Sequence, residues 1–84
     1  MLIFEWSEAD ECLEIHADDT GLARLARVIE ALRGKPVADH VHLMSADWGG
    51  NELDAIKQGK ENRLIHHVKM FRWPSDLSSA QSTE

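Results

Sequence analysis

His40 and His42 stand two residues apart, so on a strand they project from the same side, and His67 on a neighbouring strand brings a third imidazole toward them. Imidazoles so arranged are a donor set that zinc or another transition metal accepts. Against a metal, no cysteine lies nearby, no carboxylate can be assigned as a further ligand, and polar histidines on an exposed sheet face explain the same residues. A nucleophilic site has no better support. Cys12 and His16 are the available pair, but the acids around Cys12 oppose the lowered thiol pKa such chemistry needs. GxSxG, P-loop, GxGxxG and HExxH patterns are all missing. No catalytic residue is assigned, no cofactor is expected, and the chain reads as a binding protein and not an enzyme.

Charge and aromatic residues supply the chemistry of binding instead. The net charge is −6, and residues 1–20 hold seven acids (Glu5, Glu8, Asp10, Glu11, Glu14, Asp18 and Asp19) with no lysine or arginine. A negative patch at one end of the chain repels nucleic acid and steers a basic partner. Trp48, Phe71 and Trp73 are residue types that dominate interface energy when buried at the centre of a contact. Glu5, Glu8, Asp10, Glu11, Glu14, Trp48, Phe71 and Trp73 are therefore the candidate partner-binding residues, with His40, His42 and His67 as the alternative metal set. Trp48 has a second reading, as a plug at the end of the sheet. Gly49 and Gly50 read as suppliers of positive φ in a sharp turn.

The elements that position these residues follow from periodicity. Leu2, Phe4 and Trp6 alternate with Ile3 and Glu5, and Leu13 and Ile15 alternate with Cys12, Glu14 and His16, which predicts an N-terminal β-hairpin with acids at its tip and outer face. Asp18, Asp19 and Thr20 offer N-cap and first-turn residues. From Gly21 to Arg33, Leu22, Leu25, Val28, Ile29 and Leu32 recur at helical spacing, with Gly34 expected to close the helix in the αL conformation and Pro36 to stop it. Asp39–Ser45 predicts a third strand and Arg63–Trp73 a last one, and residues 51–59 read either as a short helical turn or as a structured loop.

The expected architecture is α+β, a single antiparallel sheet of about four strands in the order ββαββ with one amphipathic helix packed on one face. Exposing Lys69 places Leu64, His66, Val68 and Met70 toward the helix, because burying an unpaired ammonium is costly. The other face is then expected to be open and to carry Ile3, Glu5, Glu14, His16, His40, His42, Met44, Ile65, His67, Lys69, Phe71 and Trp73. Such a mixture of aromatic, aliphatic and imidazole groups suits an interface. A homodimer burying the same face is the alternative.

Eighty-four residues, 43% of them hydrophobic, are expected to form one domain over residues 1–74, with residues 75–84 as a disordered tail. A core of this size nets only ~3–5 kcal/mol, which favours reliance on a partner. One cysteine excludes an internal disulfide, and no apolar run approaches a membrane span, so a cytoplasmic protein with no membrane partner is expected.

The stretch HVHLMSADWGGNEL, followed by IKQGKENRLIHHVKMFRWP, resembles the immunity-protein family numbered thirty-two among the immunity proteins of bacterial polymorphic toxin systems. The resemblance rests on residues 40–74, above all Trp48-Gly49-Gly50, Glu52-Leu53, Gly59 to Asn62 and Arg72-Trp73-Pro74. It implies a small cytosolic inhibitor that binds and neutralises a cognate protein toxin, and it brings no catalytic residues. The acidic hairpin adds the expectation of a basic nuclease domain as that toxin, blocked by occlusion. A metal-binding or histidine-dependent subunit using His40, His42 and His67, and a structural homodimer, are the other readings.

Overall fold

The N-terminal hairpin pairs β1 (Leu2–Ser7) with β2 (Cys12–Ala17) in unbroken antiparallel register, from Leu2 opposite Ala17 to Ser7 opposite Cys12. Glu11, at φ 50, closes the turn between them. In the computed structural model, which describes residues 1–74, Asp18 then changes the course of the chain. Its carboxylate holds the Met1 amine and accepts the Gly21 N–H at 2.9 Å. These contacts, the amine first, keep its carboxyl below the ordinary aspartate range. With that cap in place α1 runs over Asp19–Arg33, acidic in its first turn and basic in its last, as the helix dipole favours. The expected tail, residues 75–84, lies outside the described residues.

Helix α1 packs Leu25 and Val28 against a core of Leu2, Phe4, Leu43 and Leu53, and Leu32 near its C-terminal end is also buried. Leu22 and Ile29, expected in the same stripe, are exposed, so the apolar face is narrower than its spacing suggests. Gly34 does end the helix, but at φ −78 and ψ −3, in the right-handed region and not the expected αL. Its N–H still reaches the Glu30 carbonyl at 3.1 Å, and Lys35 N–H reaches that of Leu32, so the last turn closes without a left-handed residue.

The α+β class holds: among the described residues there is one α-helix, and the strands divide into two antiparallel sheets instead of the expected single sheet. After β3 (Asp39–Met44), the final strand is interrupted at His66 into β4 (Arg63–Ile65) and β5 (His67–Arg72). Sheet A has the order β2-β1-β4 and sheet B pairs β3 with β5. The break also shifts the face assignment. Ile65 pairs with Phe4 and packs on the core, while Leu64 pairs with Glu5 on the opposite side, the reverse of the expected parity. Val68 and Met70 do lie on the face of Leu43 and Val41. A residue unpaired at His66 moves the alternation by one place, the usual effect of a bulge.

The corner after β3 explains how the sheets are joined. A 3₁₀ turn at Ala46–Trp48 is followed by Gly49 at φ 87, where an L side chain is strained. Gly50 answers a different need: a Cβ there would lie 2.5 Å from the Met44 carbonyl oxygen, so only glycine allows the chain to fold back onto β3. That return delivers Glu52, Leu53 and Asp54 into the wedge between the end of β3 and the start of β1. The Glu52 and Leu53 N–H groups donate to the Met44 carbonyl, the Glu52 carboxylate accepts the Met44 N–H at 2.9 Å, and Asp54 exchanges two hydrogen bonds with the Leu2 backbone. Arg24 of α1 ties in by donating to the Glu52 carbonyl at 2.7 Å. Leu53 is thereby buried in the core, and residues 51–59 form a structured loop without helix.

Candidate functional site

Beyond Asp54 the chain crosses the face of sheet A that points away from α1, and Glu5 is the reason it stays there. The Gln58 and Gly59 N–H groups donate to its carboxylate at 2.5 and 3.0 Å, and the Asn62 amide donates at 2.8 Å. Burial alone pushes a carboxyl pKa up. Here the three donors, with His16 nearby, outweigh it and hold Glu5 below the ordinary glutamate range. Glu14 extends the cluster by accepting from Asn62 at 2.9 Å and contacting His16 Nε2 at 2.8 Å. Glu5 was expected on an open face as a partner contact. It has no accessible surface, and neither in effect does Ile3, because the segment folded over them is anchored on that carboxylate.

Sheet B presents the opposite situation on the same side. Register places His40 beside Phe71, His42 beside Lys69 and Met44 beside His67, all facing away from the helix. Their rings form a continuous strip. His40 stacks on Phe71 at 5.1 Å, His42 stacks on His67 at 5.0 Å, and Phe71 stacks on Trp73 at 6.4 Å between centroids. Trp48 lies over His66 and His67, 6.1 Å from each. It is 58% exposed and plugs nothing, while Phe71 and Trp73 are 52% and 56% exposed. A shallow groove of about 200 Å³ lies at the Trp73 end, lined by Ala38, Asp39, His40, Phe71, Arg72 and Trp73.

The imidazoles serve one another. His42 Nδ1 and His67 Nε2 are 2.8 Å apart, a hydrogen bond in which one ring donates and the other accepts. Partial desolvation, then the positive field of His40, His67 and Lys69, pushes the His42 pKa below the usual imidazole value. His40, the expected third member, stacks on Phe71. Among the described residues, the sets of three possible ligands whose donor atoms lie within 4.8 Å of one another are Glu5, Glu14, His16 and Asp10, Cys12, Glu14, and the histidine trio is not one of them. His66 serves the seam: its carbonyl accepts the Ser45 N–H at 2.9 Å, and its Nδ1 contacts the Ser45 hydroxyl at 2.7 Å.

The remaining acids sit on the hairpin. Glu8, Asp10 and Glu11 are exposed at its tip, where the Glu8 carboxylate accepts the Trp6 indole N–H at 2.6 Å, and Glu14 is half-buried in the cluster under the loop. The structure therefore does not gather the eight candidate residues into one patch. It separates a tip of three acids on sheet A from three aromatics along sheet B and encloses Glu5. Sequence reasoning also missed Glu52 and Asn62, whose side chains hold the corner and the loop. Their only signal was membership in the Glu52-Leu53 and Gly59–Asn62 stretches that carried the resemblance.

A family model described as Immunity protein 32 matches residues 13–69, more than half of the chain. This chain belongs to the Immunity protein 32 family. Membership implies a toxin-neutralising role with a cognate toxin as partner. The matched span runs from Leu13 in β2 through α1, β3, the corner, the loop over Glu5 and β4 to Lys69 in β5. It reaches further toward the N-terminus than the resemblance read from residues 40–74, and it stops short of Arg72-Trp73-Pro74. Of the candidate contact residues, Glu14 and Trp48 fall inside it. No curated protein and no solved structure matches the chain significantly. Among the described residues, no helix is long and apolar enough to cross a membrane.

Proposed function

We propose that this immunity-family protein acts in the cytoplasm by binding its cognate toxin and covering the surface the toxin needs, without chemistry of its own. The observation that carries this reading is the open strip on sheet B, where Trp48, Phe71 and Trp73 are each more than half exposed although all three are held by ring stacking. Large rings held in place before binding lose little side-chain freedom on association, which is what an interface anchor requires. The acids Glu8, Asp10, Glu11 and Glu14 supply long-range attraction for a basic toxin, for which a nuclease domain is the best fit.

The test is protection of cells expressing the cognate toxin domain, together with affinity of the purified pair. Replacing Trp48, Phe71 and Trp73 by alanine is expected to abolish protection while leaving the fold intact. Reversing Glu8, Asp10 and Glu11 is expected to slow association and flatten its salt dependence. Full protection by both variants would refute this surface assignment.

A further inference from the structure

Strand β2 is the outer strand of sheet A, and its outer edge, which no strand among the described residues pairs with, has the features of a template. The Leu2 backbone N–H and carbonyl both engage Asp54, on the side away from β2, so Leu2 and its partner Ala17 form a pair without mutual hydrogen bonds. Alternation along an antiparallel ladder makes Phe4–Ile15 and Trp6–Leu13 pairs of the same kind. The N–H and carbonyl groups of Leu13 and Ile15 therefore point outward. Their side chains share the face of Leu2 and Phe4, but the helix does not reach them, and they are 54% and 49% exposed. The strand has no proline and no bulge, two common protections of an edge.

Charge decides what can pair there. Asp10 and Glu11 stand at one end of β2, and Asp19 at the other, beside Asp18 whose carboxylate is already paired with the Met1 amine, about 20 Å away for a strand of six residues. Antiparallel pairing with a second copy would set the tip acids of each chain against Asp19 of the other, acid on acid at both ends. A segment with apolar residues in alternate positions and basic residues at its ends meets complementary charge at both.

We propose that the outer edge of β2 takes up an extended, basic segment of the toxin polypeptide as an added strand, with its apolar side chains lying beside Leu13 and Ile15. This rests on the toxin-binding reading and adds a contact that it does not require. Backbone pairing supplies the affinity, and the acids at the two ends of β2 choose the partner.

A synthetic peptide of alternating valine and threonine with paired lysines at each end tests the edge directly, by amide hydrogen exchange of the whole chain followed by NMR. With peptide at ten times its Kd, exchange at Leu13 and Ile15 is expected to slow about tenfold. Glu14 and His16, already bonded to β1, are expected to change little, and a peptide with glutamates for lysines is expected to have no effect. Protection at another edge, or none, overturns the proposal. So does protection that appears with rising protein concentration alone and accompanies a dimer in sedimentation, because the occupant is then a second copy. In the toxin-protection assay, loss of protection by the double variant Leu13→Lys, Ile15→Lys supports the edge once its urea midpoint shows that it is folded. If that folded variant protects as well as the unaltered chain, the edge proposal falls and the toxin-neutralising reading stands. An unaltered chain that fails to protect removes that reading, and the peptide experiment still decides whether the edge accepts a basic strand.

Discussion

Sheet A is covered on both sides and sheet B on one. On the side away from α1, sheet A is closed over Glu5 by the loop that ends at Asn62, whereas sheet B leaves its imidazoles and aromatics open. On the helix side both sheets join the core, Leu2, Phe4 and Ile65 from sheet A and Leu43 and Val68 from sheet B, and it is the outer strand of sheet A that leaves Leu13 and Ile15 exposed. Comparable alternation on the strands thus leads to opposite outcomes on the side away from α1. The difference lies in what the polar positions offer a passing backbone. A carboxylate accepts several N–H donors at once and can anchor a loop. The imidazoles of His42 and His67 satisfy each other and leave no comparable set of acceptors.

The largest expected effect tests the anchor. Glu5→Ala leaves the Gln58, Gly59 and Asn62 donors without their acceptor in a closed site, and it should lower stability by about 3 kcal/mol in urea unfolding. A loss below about 1 kcal/mol would mean that the loop is held by something other than Glu5. The open strip should behave in the opposite way. Trp48→Ala with Phe71→Ala is expected to weaken toxin binding by about 2 kcal/mol in calorimetry while the unfolding free energy moves by less than about 0.5 kcal/mol. A stability loss comparable to that of Glu5→Ala would erase the distinction between the two sheets.

Acid sharpens the comparison further. The folded-state pKa of Glu5 lies below its unfolded value, so its contribution to stability is present above the ordinary glutamate pKa of about 4.3 and is lost as pH falls through the lower folded value. Part of the acid sensitivity of the urea midpoint below about pH 4.3 should therefore disappear in Glu5→Gln. An unchanged profile would assign that sensitivity to other carboxylates. The smallest effect belongs to the open strip: by NMR titration His42 should protonate below the ordinary imidazole value of about 6.5, and Lys69→Gln, which removes one positive neighbour, should move its midpoint upward. A midpoint unaffected by the loss of Lys69 would leave desolvation and the other histidines to explain the depression.

The hairpin, the capped helix and β3 were legible because each is specified by neighbours in sequence: period-two alternation in Leu2–Trp6, the Asp18 cap, and the three- and four-residue spacing of Leu25, Val28 and Leu32. The family signature was legible as well, since Trp48-Gly49-Gly50 and Glu52-Leu53 are contiguous. The role of Gly50 was not, because its constraint is the Met44 carbonyl, which the backbone meets only after it has turned back. Glu5 was misplaced for a related reason. Strand parity assigned it correctly to the side away from the helix, but parity carries no information about which segment crosses that side.

The sequence by itself determined the class of the fold, the absence of recognised catalytic motifs, the acidic character of one end and the family resemblance, because all of these follow from local pattern and composition. Only the tertiary structure decided that the last strand breaks at His66, that Ile65 and not Leu64 faces the core, that Glu5 is enclosed, and that Trp48 and the sheet B strip stay open. Each of those outcomes depends on contacts between residues distant in the chain, such as Glu5 with Gln58 and Ser45 with His66, whose formation no local period encodes.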